Sequence, residues 1–161
     1  MISTEELTRA ILENKTNLYG LAYSITRNPY DAEDALSDAV LTSYRHRESI
    51  KNPESIRAWL YKVVHNEACA LLRNKKNEDY YADISECGVP MEDAGMNPEN
   101  INLWNQVLSL PEEYRSIVYL YYYKGLPLKQ IQKIIGIPEG TIKSRLSKAR
   151  SILYEKLREE E

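Results

Sequence analysis

Residues 126–150 constrain the fold more tightly than any other part of this chain, because two short apolar-periodic runs flank Gly136-Ile137-Pro138. Pro127 suits a first helical position, since its fixed φ is already helical and its missing N–H would be unpaired there anyway. Leu128, Ile131, Ile134 and Ile135 follow at spacings of three and four, which puts them on one helix face. Gly136 is the residue type that closes such a helix in the left-handed conformation. A second helix is expected after Pro138-Glu139-Gly140 and the Thr141 hydroxyl, with Ile142, Leu146, Ala149 and Leu153 turned inward. Lys143, Ser144, Ser147 and Lys148 then face outward. Two helices joined by so short a turn read as a helix-turn-helix, and an outward face of long cations and short hydroxyls suits a DNA major groove.

The local charge agrees. Residues 127–150 hold six Lys or Arg against Glu139 alone, a net +5. A solvated helix face is the ordinary reading of such a run, but the turn and the spacing favour nucleic acid. The motif occurs in repressors, recombinases and polymerase factors, so it names a partner before it names a function.

A whole-chain charge of −3 looks wrong for a DNA binder until it is divided along the 161 residues. Residues 1–44 carry three basic and seven acidic groups, and residues 45–76 carry eight basic and three acidic. Residues 77–100 carry seven acidic groups and no basic one, and residues 101–161 carry ten basic and seven acidic. The middle segment also holds Gly88, Pro90, Gly95 and Pro98 without a sustained apolar period, the composition of a linker. The expected organisation is all-α: a helical domain over 1–76, an acidic tether over 77–100, and the helix-turn-helix domain over 101–161. The tether's carboxylates are either a solvated spacer or a mimic of a nucleic-acid backbone lying in a partner's basic channel.

No run of about 18 apolar residues is present to span a membrane, and residues 1–10 are polar and acidic, so neither membrane insertion nor a secretory signal is expected. Cys69 and Cys87 are too few for a disulfide framework, which makes reduced thiols in a cytoplasm the expectation. His65 and Cys69 lie four apart on a predicted helix, yet two ligands without a third do not make a metal site. Neither metal nor cofactor is expected.

Three or four helices are expected in the front domain. The first opens at Thr4-Glu5-Glu6-Leu7 with Ser3 or Thr4 as cap. Leu18, Leu21, Ala22 and Ile25 give the second its buried face, and Asn28-Pro29 ends it. The third runs from Asp31 through Ala35, Leu36, Ala39 and Val40 toward Tyr44, with Asp31, Glu33, Asp34 and Asp38 crowded into its first turns. Paired carboxylates raise a metal-dependent nuclease, but acids are favoured at helix starts and no His or Lys at catalytic spacing accompanies them, so an acidic docking face fits better. The fourth helix, about 54–74, buries Leu60, Val63, Val64, Ala68 and Leu71 and carries Lys62, His65, Asn66, Cys69 and Arg73 opposite, with Arg57 at its entrance. Lys51, Lys75 and Lys76 extend that charge into a second nucleic-acid surface. Glu67, close to the apolar side, has no sequence-level explanation.

Two basic helical units joined by an acidic tether resemble the extracytoplasmic-function (ECF) group of bacterial RNA polymerase sigma factors. The front likeness lies in Asp31-Ala32-Glu33-Asp34-Ala35, in Arg57-Ala58-Trp59-Leu60-Tyr61-Lys62-Val63-Val64-His65-Asn66 and in Leu71-Leu72-Arg73. The rear likeness lies in Leu110-Pro111-Glu112-Glu113-Tyr114-Arg115 and in Gly136-Ile137-Pro138-Glu139-Gly140-Thr141-Ile142-Lys143-Ser144-Arg145-Leu146.

The resemblance implies a front domain (region 2) that docks on the polymerase β′ clamp helices through Asp31, Glu33, Asp34 and Asp38 and melts the minus-10 element. The loop over residues 46–53, with His46, Arg47, Lys51 and Asn52, would receive a flipped base, helped by Asn66, while Arg57, Lys62 and Arg73 hold phosphates. The rear domain (region 4) would bind the β-flap and read the minus-35 element through Lys143, Ser144, Ser147 and Lys148, with Thr141, Arg145 and Arg150 on phosphates. The tether would follow the RNA-exit path, and an anti-sigma protein, often membrane-bound, would hold the factor inactive in the cytoplasm. Three residues depart from the family pattern: Ser37 replaces Gln, Ala70 replaces Asp or Asn beside the flipped-base site, and Gln132 replaces a small residue where helices cross. The minus-10 preference therefore does not transfer from relatives, and Gln132 is expected to turn to solvent.

The reading is thus a promoter-specificity subunit without covalent chemistry. Its rival is a stand-alone helix-turn-helix regulator that binds DNA as a dimer; no dedicated apolar dimer helix is evident, and the front domain would have no role in it. A recombinase or nuclease comes third, because thirteen tyrosines supply nucleophiles without an Arg/His constellation to single one out. Tyr119, Tyr121, Tyr122 and Tyr123 are expected to serve a core or interface at helical spacing.

Overall fold

A computed structural model describes residues 2–52, 55–77 and 98–159, all of whose regular structure is helical. The chain divides into two compact units, Met1–Gly88 and Val89–Glu161. Most of the tether expected over 77–100 lies outside the described residues; its two ends are helical, since one helix runs to Asn77 and another starts at Pro98.

The front unit is three helices packed pairwise: α1 (Thr4–Thr26), α2 (Pro29–Arg45) and α3 (Ile56–Asn77). Ser3 caps α1 in a reciprocal capping box with Glu6, which satisfies two amides that the helix start leaves open. The two helices expected between residues 4 and 25 are one. Leu7, Ile11, Leu18, Leu21, Ala22 and Ile25 keep a continuous helical period, and Asn14 fills the gap by donating its side-chain amide to the Ala10 carbonyl at 2.7 Å. The chain reverses at Arg27, in the left-handed region at φ 55°, and Asn28 caps α2 through the Tyr30 and Asp31 amides, with Pro29 in its first turn. Ala32, Ala35 and Ala39 are buried, and their small side chains let α2 lie close to its neighbours. Leu60, Tyr61, Val64 and Ala68 of α3 complete the core.

Glu67 is accounted for here. Its Oε1 accepts a hydrogen bond from Thr42 Oγ1 at 3.1 Å, so the carboxylate ties α3 to α2.

The rear unit contains α4 (Pro98–Leu108), α5 (Glu112–Val118), α6 (Leu128–Ile135) and α7 (Glu139–Glu159). Beyond Val118 the chain widens into a π turn over Tyr119–Tyr123, where the Lys124 amide reaches back to the Tyr119 carbonyl at 3.1 Å. Trp104 is fully buried and meets Tyr119 and Tyr123 edge-on at centroid separations of 5.6 and 5.1 Å. Arg115 is buried and donates to the Leu110 carbonyl at 3.0 Å, fixing the corner between α4 and α5. Gly136 ends α6 at φ 85°, with its amide on the Gln132 carbonyl at 2.7 Å, and Ile131, Ile134, Ile142, Leu146 and Ala149 form the inner seam of the helix-turn-helix. Leu153, expected inside, is half-buried, as are Leu128 and Ile135.

Candidate nucleic-acid interface

On α7, burial of Ile142, Leu146 and Ala149 turns Lys143, Ser144, Ser147 and Lys148 out to solvent, because residues three and four apart share a face. Thr141 and Arg145 flank this face half-buried. Arg150 is exposed but directed elsewhere: its guanidinium donates to the Tyr122 hydroxyl at 2.7 Å. Gln132 stands exposed on α6, so its bulk does not enter the crossing with α7.

In the front unit, Arg57, Lys62, Asn66 and Arg73 are exposed along α3, with His65 and Cys69 half-buried between them. The Arg57 guanidinium lies over the Tyr61 ring at 5.5 Å and donates to its hydroxyl at 3.3 Å. Burial raises the Tyr61 pKa against the opposing effect of Arg57, so this hydroxyl stays protonated. Burial lowers the His65 pKa, against a smaller opposing effect of the neighbouring Asn66 side chain as acceptor; the imidazole rests 3.5 Å from the Cys69 sulfur. Among the described residues no three His, Cys, Asp or Glu come together as metal ligands.

The loop after α2 is pinned at two points. Arg47 donates to Thr4 Oγ1 on α1, and Ile50 is buried at 2% exposure, which leaves His46, Lys51 and Asn52 at the surface. Pro53 lies outside the described residues. Arg47 therefore braces the loop from within, in contrast to its exposed neighbours.

The acidic cluster of α2 separates in the same way. Glu33, Asp34 and Asp38 are exposed, and Tyr30, Ser37 and Leu41 lie on the same exposed face. Asp31 is only 6% exposed and accepts an ion pair from Lys75 Nζ at 2.7 Å, joining the start of α2 to the end of α3. Helical spacing could not separate it from the other three, because its partner is 44 positions away. Ala70 is half-buried on α3.

A further surface brings together tyrosines expected at a core or interface with apolar residues of three helices. Leu103, Val107, Val118, Tyr122, Leu153, Tyr154 and Leu157 line a groove of about 360 Å³ in the rear unit, with Arg150 at its edge. Its sequence signals are the tyrosine cluster, of which Tyr122 and Tyr123 line the groove, and the apolar spacing of residues 103 and 107 on α4 and of 153, 154 and 157 on α7.

The Sigma-70 region 2 family matches residues 10–78, and the Sigma-70 region 4 family matches residues 101–153. The ECF RNA polymerase sigma factor SigW of Bacillus subtilis is 31% identical over 90% of this chain and 85% of its own length. RNA polymerase sigma factor SigV of the same organism is 29% identical over 96% and 93%. Among solved structures, the sigma factor RpoE in complex with the anti-sigma factor NepR from Bartonella quintana superposes with a TM-score of 0.81 at 22% identity, covering 96% of this chain and 98% of that one. CnrH in complex with the cytosolic domain of CnrY gives 0.69 at 17% identity, over 96% and 89%. At these identities the two structures speak for the fold alone.

Proposed function

The chain belongs to the ECF group of RNA polymerase sigma factors, and on that premise we propose how its surfaces divide the work of promoter-directed transcription initiation. That it directs initiation at promoters follows from the family; the assignment of residues is ours. One observation carries the assignment: the two units each expose a cationic helix face, and the rear face stands on a helix-turn-helix.

In the rear unit, Lys143, Ser144, Ser147 and Lys148 read base edges of the minus-35 element, while Thr141 and Arg145 hold phosphates and fix the register. Arg150, already engaged with Tyr122, serves the rim of the apolar groove, and that groove suits the polymerase β-flap. In the front unit, His46, Lys51, Asn52 and Asn66 receive a base extruded from the non-template strand, and Arg57, Lys62 and Arg73 hold its backbone. A loop braced by Arg47 and Ile50 is shaped before the strand arrives, which lowers the ordering cost of capture.

Glu33, Asp34 and Asp38, with Tyr30 and Leu41 on the same face, form the docking surface for the β′ clamp helices; Asp31 holds that surface in place through Lys75. The factor acts without covalent chemistry of its own and works in the cytoplasm. Among the described residues no helix is long and apolar enough to cross a membrane. Regulation by an anti-sigma protein is proposed because the superposed sigma factor RpoE was solved in complex with the anti-sigma factor NepR.

The division of labour is tested with two substitutions at exposed positions. Lys148→Ala should weaken footprints on upstream promoter DNA, whereas Asn66→Ala should leave them and reduce permanganate reactivity of the opened strand. Equal loss of upstream binding by both variants would contradict the assignment.

A further inference from the structure

Where the chain leaves α2, three side chains turn from solvent at a spacing of three: Tyr44, Arg47 and Ile50. Residues three apart share a side both in the last turn of α2 and in the 3-10 turn over Arg47–Ser49 that follows it. The Ser49 amide on the His46 carbonyl at 2.9 Å and the Ile50 amide on the Arg47 carbonyl at 3.1 Å close that turn. Ile50 is buried and Tyr44 and Arg47 are half-buried, while His46, Lys51 and Asn52 stand exposed.

Two of the three end on threonines of α1. Arg47 donates to Thr4 Oγ1, and the Tyr44 and Thr8 hydroxyls meet. The direction of the second bond follows from proton counting. The Thr8 hydroxyl has one proton and gives it to the Thr4 carbonyl at 2.9 Å, so toward Tyr44 it accepts. Thr4 therefore receives the departing chain twice: on its hydroxyl from Arg47, and on its carbonyl, through Thr8, from Tyr44. The Arg47 Nε is buried without a partner among the described residues, which leaves the Thr4 bond as the polar contact that holds this side chain. Thr4 is itself well anchored, because Ile2 and Leu7 on either side of it are buried and the Ser3–Glu6 capping box fixes the first turn.

We propose that Thr4 and Thr8 are positioning residues for strand capture: through Arg47 and Tyr44 they hold the loop over residues 46–52 in the shape that presents His46, Lys51 and Asn52 to the extruded base. This role rests on the promoter-opening function proposed for the front unit, and it adds two residues that act through the loop rather than on the strand. A loop that samples several shapes binds with its affinity reduced by the fraction of time spent in the competent one. Removing either brace leaves the groups that meet the base in place and lowers only that fraction. A drop to one fifth weakens strand binding about fivefold. Neither threonine carries charge, so the weakening does not pass through phosphate attraction and should be equal at low and high salt.

The test uses the full chain assembled with core polymerase and a dye-labelled single-stranded oligonucleotide carrying the non-template sequence of a promoter found by run-off transcription. Thr8→Val and Tyr44→Phe should each weaken strand binding about fivefold. The double variant should lose no more than either, because both changes remove one bond. Thr4→Val should weaken binding as Thr8→Val does, and Thr8→Ser, which keeps the hydroxyl, should bind like the wild type. Glu67→Ala loosens the same unit between α2 and α3, away from the loop, and should leave strand affinity unchanged. Unchanged strand affinity in both valine variants, or an equal loss in Thr8→Ser or Glu67→Ala, would overturn the positioning role while leaving promoter opening standing. Failure of the wild-type complex to bind the strand more tightly than core alone would overturn both.

Discussion

Replacing Lys75 by Met should destabilise the front unit far more than a surface ion pair would imply. The Asp31 side chain is 9% exposed and that of Lys75 27%, with 2.7 Å between Nζ and the carboxylate. An exposed pair contributes roughly 0–1 kcal/mol, while removing one partner of a fully buried pair costs about 3–5 kcal/mol because a charge is stranded in a poor solvent. This pair lies between those limits, with its carboxylate nearer the buried one. Lys75→Met keeps the length of the side chain and removes the ammonium, so the stranded Asp31 carboxylate should cost about 2 kcal/mol. For a domain of this size that lowers the melting temperature by roughly 8–16 °C. Each unit holds one tryptophan, Trp59 in front and Trp104 behind, so fluorescence in a Trp104→Phe background follows the front unit within the full chain. Asp31→Asn removes the charge that Lys75→Met strands, and the double variant should recover most of the loss. A loss below about 0.5 kcal/mol for Lys75→Met, or no recovery in the double variant, would refute the reasoning.

Two further outcomes follow from packing. Burial pushes the Tyr123 hydroxyl up to about 12, above the ordinary 10; the unfolded chain then releases this proton first as pH rises, so the rear unit should hold constant stability below pH 10 and lose about 1–2 kcal/mol between pH 10 and 12. Tyr123→Phe should remove that alkaline loss, and at pH 7 it should be neutral or stabilising, because the hydroxyl is buried without a partner; urea titrations at pH 7 and 11 compare the two. Glu67→Ala should cost about 1 kcal/mol by releasing the Thr42 hydroxyl, and Thr42→Val combined with it should add little, a non-additivity that a double-mutant cycle measures.

Periodicity and turn chemistry made the helix-turn-helix legible: Gly136 demanded a left-handed cap, and the apolar spacing on either side chose the inward faces. The acidic stripe of α2 and the basic stripe of α3 were legible for the same local reason. Contacts between residues far apart in sequence were not. Asp31 looked like its acidic neighbours until Lys75 was found beside it, and Glu67 looked misplaced until Thr42 was found facing it. Arg47 and Arg150 read as free cations, yet each reaches another side chain, on Thr4 and Tyr122. The polar run over residues 13–17 hid the continuity of α1, because a single Asn bridging the apolar period resembles a break. The π turn over Tyr119–Tyr123 was not legible, because the spacing of its tyrosines reads as ordinary helix.

The central claim is that this chain gives core polymerase its choice of promoter. Run-off transcription from a set of genomic fragments, with core polymerase in the presence and absence of the protein, tests it most directly. Transcripts that start at discrete sites only when the protein is added are the predicted result; specific DNA binding with no association with core and no initiation would contradict the account.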